Sequence, residues 1–364
     1  MPRPHISRAA SAALGVAIAV SVVLAGCSSS TTPTGAPSAA PADGLSFVLI
    51  VPATVEPGTY VQHAVDGVST AAAALNASLE ILEPSDDATV QQNVDAAMLE
   101  NPSVIIGLTD GVLTEFDYTA ASNLAQQFLL IDSAALEPTG NLSAALFRDY
   151  EADYLTGVEA ATLAASPDAV AIVSPAASLR VEAQAGPFLA GLTSTNDVLK
   201  PVTGNVGTDE GASQEQVDAQ ATSFVADGAT IIPTIGFGRG TTLLAASASD
   251  DFATFGHDFD QCAVSPGHVI DSTINRVDVV AEAALRDVID GRTGLITSYG
   301  LAEGAVSLAS LEPGADASGC TVLESADAIA AVAEARAAII AGTVSVADPT
   351  YSDPSLLPQP EPTP

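Results

Sequence analysis

Positive charge is what this chain has least of. Lys200 is its only lysine, and 10 basic residues stand against 44 acidic ones, for a formal net charge of −34. Such a surface repels polyanions at long range, which argues against nucleic acid and free nucleotides as partners, whereas a neutral solute or a cation meets no barrier. Catalytic signatures are also missing. No G-x-S-x-G elbow occurs, and no nucleophile stands beside an evident base. His257 lies beside Asp258 and Asp260, with His268 nearby, but the spacing suits no standard metal-ligand set. The run Gly236-Phe237-Gly238-Arg239-Gly240 mimics a dinucleotide fingerprint, yet its third glycine is misplaced and its loop is not the first βα turn. The expectation is a chain without catalysis, cofactor or metal.

Cysteine is scarce, with three in 364 residues. The first ends the run Leu24-Ala25-Gly26-Cys27, which follows Arg3, Arg8 and an apolar stretch over 12–24. That is the pattern of a secretory leader, and its last four residues resemble a bacterial lipobox, in which the leader is cut before the cysteine and the thiol is acylated. Cys27 is therefore the expected lipidated first residue of a membrane-anchored, extracytoplasmic protein. An uncleaved spanning helix is the alternative, for which the run is short against about 20 residues. Cys262 and Cys320 remain as an even pair in a disulfide-permitting compartment, and are expected to be bonded to each other, with two buried free thiols as the alternative.

Segment 28–43, rich in Ser, Thr, Pro and Ala, buries too little to offset its ordering entropy and reads as a tether. A proline-rich tail closes the chain over 347–364. Between them, short apolar runs alternate with helical stretches, the order of a doubly wound α/β protein. Strands are expected at 45–51, 79–82, 104–108, 128–131, 170–174, 199–206, 230–235, 253–256 and 269–274. Helices are expected at 61–75, 86–99, 112–125, 149–165, 214–227, 241–249 and 276–289. Two successive series suggest two lobes, and in open parallel sheets a ligand binds beyond the carboxyl ends of the strands. Those ends supply 52–60, Thr109, Asp110, Asp132, Ser133, Ser174, Pro175, 236–240 and 257–261, a mix of carboxylates, hydroxyls and rings suited to a polar neutral ligand with a planar part.

Several runs together are similar to a known family: Phe128-Leu129-Leu130-Ile131-Asp132-Ser133, Phe147-Arg148-Asp149-Tyr150-Glu151-Ala152, Gly256-His257-Asp258-Phe259-Asp260-Gln261, Asn275-Arg276-Val277-Asp278 and Tyr299-Gly300-Leu301-Ala302-Glu303-Gly304. In order and spacing they resemble the basic membrane protein (BMP) family, the nucleoside-receptor lipoproteins of ABC transporters. The resemblance implies a type I periplasmic-binding-protein-like α/β fold, with two Rossmann-like lobes joined by a hinge, that delivers purine or other nucleosides to a permease. The implied organisation is a leader over 1–26, a tether over 27–43, one lobe from 44–146 with 275–292, a second from 147–274 with 293–346, and the tail. Closure is expected at the crossings near Leu146 and Ile274.

Carried over residue by residue, the resemblance gives Asp132 to the base and Asp258 to the ribose hydroxyls. It gives Tyr60 and Phe237, beside Gly238, to ring stacking. Asn275 stands where the family has a lysine, and Pro57 and Val61 replace its Asp and Asn. Asn keeps a donor but loses the charge and reach of an ammonium; compensation by Arg239 from the other loop is one expectation, and pairing of Arg239 with a surface acid is the alternative. Two rival readings follow from the same residues: a ligand sensor of the same fold signalling to a membrane partner, and an exported nucleoside hydrolase.

Overall fold

The structure, a computed structural model, describes residues 44–85, 89–133, 139–175, 179–207, 213–233, 235–236 and 242–349. Cys27, the leader, the tether and the tail from 350 lie outside the described residues, as do Phe237, Gly238 and Arg239. Among the described residues the strands are β1 (Ser46–Ile50), β2 (Ser78–Leu82), β3 (Val104–Leu108), β4 (Phe128–Ile131), β5 (Leu142–Phe147), β6 (Ala171–Pro175), β7 (Val202–Val206), β8 (Thr254–Gly256), β9 (Val269–Asn275), β10 (Ile296–Tyr299) and β11 (Val306–Leu308). The helices are α1 (Tyr60–Ala74), α2 (Val90–Glu100), α3 (Leu113–Ser122), α4 (Asp149–Leu163), α5 (Leu179–Thr195), α6 (Gln214–Ala226), α7 (Thr242–Asp250), α8 (Val277–Ile289) and α9 (Ala326–Ile340).

A first sheet has the order β10-β5-β4-β3-β1-β2, with every neighbouring pair parallel. Parallel strands covered on both faces need unbroken apolar runs, and Phe47 to Val51 and Phe128 to Ile131 are all at most 1% exposed. Alternation along the pleat sorts them. Phe47, Leu49 and Val51 share one core with α1 and α8, while Val48 and Ile50 share another with α2 and α3. Thr89 and Gln92 close a capping box at the start of α2, as Ser213 and Gln216 do for α6.

The second sheet is less regular. β6 pairs with β7, β8 with β9 in parallel, and β11 joins β9 antiparallel. The strand expected at 230–235 appears only as bridges from Ile231 to Val170 and Ala253, which join the two pieces. Pro233 lacks a donor and suits no ladder interior.

The chain passes between the two assemblies three times: from β5 into α4, from β9 into α8, and from β10 to β11. The boundary expected at 292/293 is corrected here. β10 pairs with β5 in the first sheet, so the chain through Tyr299 belongs with that sheet. An arginine marks each of the first two crossings. Arg148 donates to Glu151 and Glu303, each at 2.6 Å, and to the Ser298 carbonyl. Arg276 donates to Asp278 at 2.8 and 2.9 Å and to Glu312 at 3.0 Å.

One buried pair has a pH consequence. Glu159 on α4 and Asp271 on β9 are both 0% exposed. Asp271 accepts from the Ser272 and Ser310 amides, whereas neither Glu159 oxygen has a hydrogen-bond partner among the described residues. Burial, then the facing Asp271, holds the Glu159 carboxyl well above its ordinary pKa. A carboxyl raised in the native state contributes stability that is complete below its unfolded pKa and is lost as pH climbs through the native value. Glu159→Gln should therefore gain about 1–3 kcal/mol over the natural chain at pH 8 and almost nothing at pH 4, read from denaturant midpoints. An equal gain at both pH values would refute the ionisation account.

Candidate functional site

The carboxyl ends of three strands turn through an unusual backbone. Thr109 after β3, Asp132 after β4 and Asp258 after β8 take φ of 61°, 60° and 70°. Positive φ is uncommon outside glycine, and least expected for β-branched Thr109. Backbone outliers at strand ends of an α/β sheet mark a functional candidate. The strands impose the turns: the Thr109 amide donates to the Ile131 carbonyl and the Asp132 amide to that of Ala145. Beside them Ser133 donates to Asp110 at 2.7 Å.

Four of the sequence-derived residues fall on one chain of contacts. Tyr60, the first residue of α1, donates its hydroxyl to Asp132 at 2.9 Å. Its ring lies 6.5 Å from that of His63, one turn on. His63 reaches the Asn275 carbonyl through Nε2 at 2.9 Å and stacks on Phe259 at 6.0 Å. The Asn275 side chain donates to Asp258 at 3.4 Å, and its amide donates to the Asp258 carbonyl at 2.9 Å. Tyr60 is only 4% exposed, so in this conformation it offers a hydroxyl to Asp132 more than a free face for stacking.

Sequence reasoning missed the residues that extend this chain. Asp149 opens α4 directly after the first crossing, and Asp153 lies one turn on, with His257 Nδ1 3.9 Å from its carboxylate. Burial, then the facing Asp258, pushes the Asp149 carboxyl up to about 7, against a hydrogen bond from Asn275 that lowers it. Burial, followed by Asp149 and Asp258, holds Asp153 well above the ordinary carboxylate range. Periodicity gave no signal for them: α4 is buried on every side from Glu151 to Ala161, so no single face of it marks a site. The cysteines expected to pair, Cys262 and Cys320, form a disulfide buried in the core of the second assembly.

What this geometry can do is accept hydrogen bonds from a small polar solute between two parallel-sheet assemblies. A family model described as ABC transporter substrate-binding protein, PnrA-like, matches residues 45–343. The chain belongs to the Bmp family. Solved structures agree on the fold. A solute-binding protein of an ABC transporter system from Aeropyrum pernix is 21% identical, with a TM-score of 0.65 over 84% of this chain and 93% of its own. A second, from Conexibacter woesei, is 16% identical, with a TM-score of 0.66 over 84% and 99%. A transcriptional activator of the comK gene from Bacillus halodurans is also 16% identical, with a TM-score of 0.64 over 83% and 99%. Bmp membership makes this an ABC transporter substrate-binding protein, a class that works on the extracytoplasmic side. Among the described residues, no helix of this Bmp chain is long and apolar enough to cross a membrane.

Proposed function

We propose that this chain is a nucleoside receptor, anchored through a lipid on Cys27, that closes two lobes on its solute and presents it to the permease of an ABC transporter without chemistry of its own. The observation that supports this reading best is the contact chain Asp132, Tyr60, His63, Asn275, Asp258, which runs from the strand ends of one sheet to those of the other. In this reading Asp132 meets the base and Asp258 the ribose hydroxyls. Asn275 orients Asp258 in place of a lysine, and the resemblance gives Phe237, beside Gly238, to ring stacking, both outside the described residues. Lobe closure occurs about the crossings beside Phe147, Asn275 and Tyr299.

A thermal-shift panel of nucleosides, free bases and sugars tests it, since a ligand that binds the native state alone raises the melting temperature. At least one nucleoside should stabilise the protein, and Asp132→Ala and Asp258→Ala should each weaken its binding by about 1–3 kcal/mol, or roughly ten- to a hundredfold. A clear shift from a sugar with none from any nucleoside would reject the nucleoside and spare the receptor. Mass spectrometry of membrane-extracted protein should find the mature chain starting at an acylated Cys27; an unmodified amino terminus upstream of it would reject the anchor.

A further inference from the structure

We propose that the solute carries a positive charge, which lodges against Asp149 and Asp153 beside Asp258. This deepens the nucleoside-receptor reading and rests on it. Three carboxylates converge where α4, the end of β8 and the end of β9 meet, and two of them are under-satisfied: Asp149 has the Asn275 side chain and Asp153 only a long approach from His257. Asp149 Oδ1 is shielded from solvent and accepts no hydrogen bond. Asp153 is 4% exposed, and its opposite number, His257 Nδ1, stands at 3.9 Å, beyond hydrogen-bond length.

A buried carboxylate without a partner is costly and is retained where something pairs with it. Among the described residues, the two neighbouring arginines do not. Arg148, adjacent to Asp149, is committed to Glu151 and Glu303, and Arg276, adjacent to Asn275, to Asp278 and Glu312. The groups facing the cluster are Asp149 and Asp153 from α4, His257 and Asp258 from the loop after β8, Thr273 and Asn275 from β9, and His63 from α1. Among the described residues, two imidazoles are thus the cationisable groups beside three carboxyls. Without solute, protons fill the gap, as the upward displacement of Asp149 indicates. A cationic solute displaces those protons, so its affinity rises with pH as the carboxyls ionise. A neutral solute has no such advantage. The chain's net charge of −34 draws a cation toward the site at long range.

The test is calorimetric titration of the full chain with nicotinamide riboside, whose pyridinium charge is permanent, against its reduced, uncharged form, at pH 6, 7 and 8. The cation should bind about tenfold or more tightly than the neutral form at pH 8, with an advantage that shrinks toward pH 6 and with protons released on binding. Asp153→Asn matches the protonated carboxyl in shape and neutrality and so should fold, and it should cut that advantage below about threefold. Equal or tighter binding of the neutral form overturns the charge proposal and leaves the nucleoside reading standing. Binding of phenyltrimethylammonium but of neither riboside supports the charge and overturns the nucleoside. Stabilisation by calcium chloride alone that matches the organic cation, or failure of every probe, overturns the proposal.

Discussion

Replacing Gly191 with leucine should lower the stability of the fold by about 3 kcal/mol or more, at the upper end of what overpacking costs. α4 and α5 touch backbone to backbone at two reciprocal points. A Cβ on Gly157 would overlap the Phe188 carbonyl oxygen, and one on Gly191 would overlap the Tyr154 carbonyl oxygen. Neither obstacle is a side chain that can rotate away. Relief requires the helices to separate, and α4 has nowhere to go, since every residue from Glu151 to Ala161 is buried against the second sheet, α5 or α9. Glycine within a helix sacrifices roughly 1 kcal/mol of propensity relative to alanine, so a pair of them facing each other marks close approach as the feature that matters. The matching surface change, Ala190→Leu, should stay within about 0.5 kcal/mol of the natural chain. Urea midpoints for the two variants decide it, and a Gly191→Leu no less stable than Ala190→Leu would refute the contact.

The reach of sequence reasoning follows from how each element is stabilised. β3 and β4 were legible to the residue, because Val-Ile-Ile-Gly-Leu and Phe-Leu-Leu-Ile are the continuous runs that two-sided burial demands. β5, Leu-Ser-Ala-Ala-Leu-Phe, was passed over: alanine and serine carry little strand preference, and only the neighbouring strands of the finished sheet fix its conformation. α5 was missed because Gly186-Pro187 reads as a turn, yet the helix runs through it. α9 is nearly uniform alanine and isoleucine, with no clean polar face to give it a period. At the candidate site, Asp132 and Asp258 could be found because they end strands. Asp149 and Asp153 could not, since they lie within a helix that is buried on every side, and nothing in its own sequence says which carboxylate from a distant strand they will meet.

Breaking the Cys262–Cys320 bond should cost about 4 kcal/mol, the loop-entropy value for a closure of this length. The cysteines are 58 residues apart, buried, and joined with their Cα atoms at 4.9 Å. What they enclose makes the bond more than a local staple. Between them the chain forms β9 in the second sheet, crosses to lay α8 on the first sheet, adds β10 to its edge, and returns through β11 beside β9. Two of the three crossings therefore lie inside one closed loop, and in the unfolded chain the bond removes the freedom of that whole excursion. Asp258 stands four residues before the loop begins and Asn275 within it, so the pair at the second-sheet end of the candidate site is held across the same constraint. Cys262→Ala/Cys320→Ala should lower the denaturant midpoint, and reductant should lower that of the natural chain to match while leaving the variant unmoved. Uptake of a thiol label at both cysteines in unreduced, denatured protein would overturn the pairing. Because loop closure acts on the unfolded state, ligand affinity measured well below the melting transition should change far less than stability does. Loss of both together would mean that the bond also holds Asp258 against Asn275 in the folded protein.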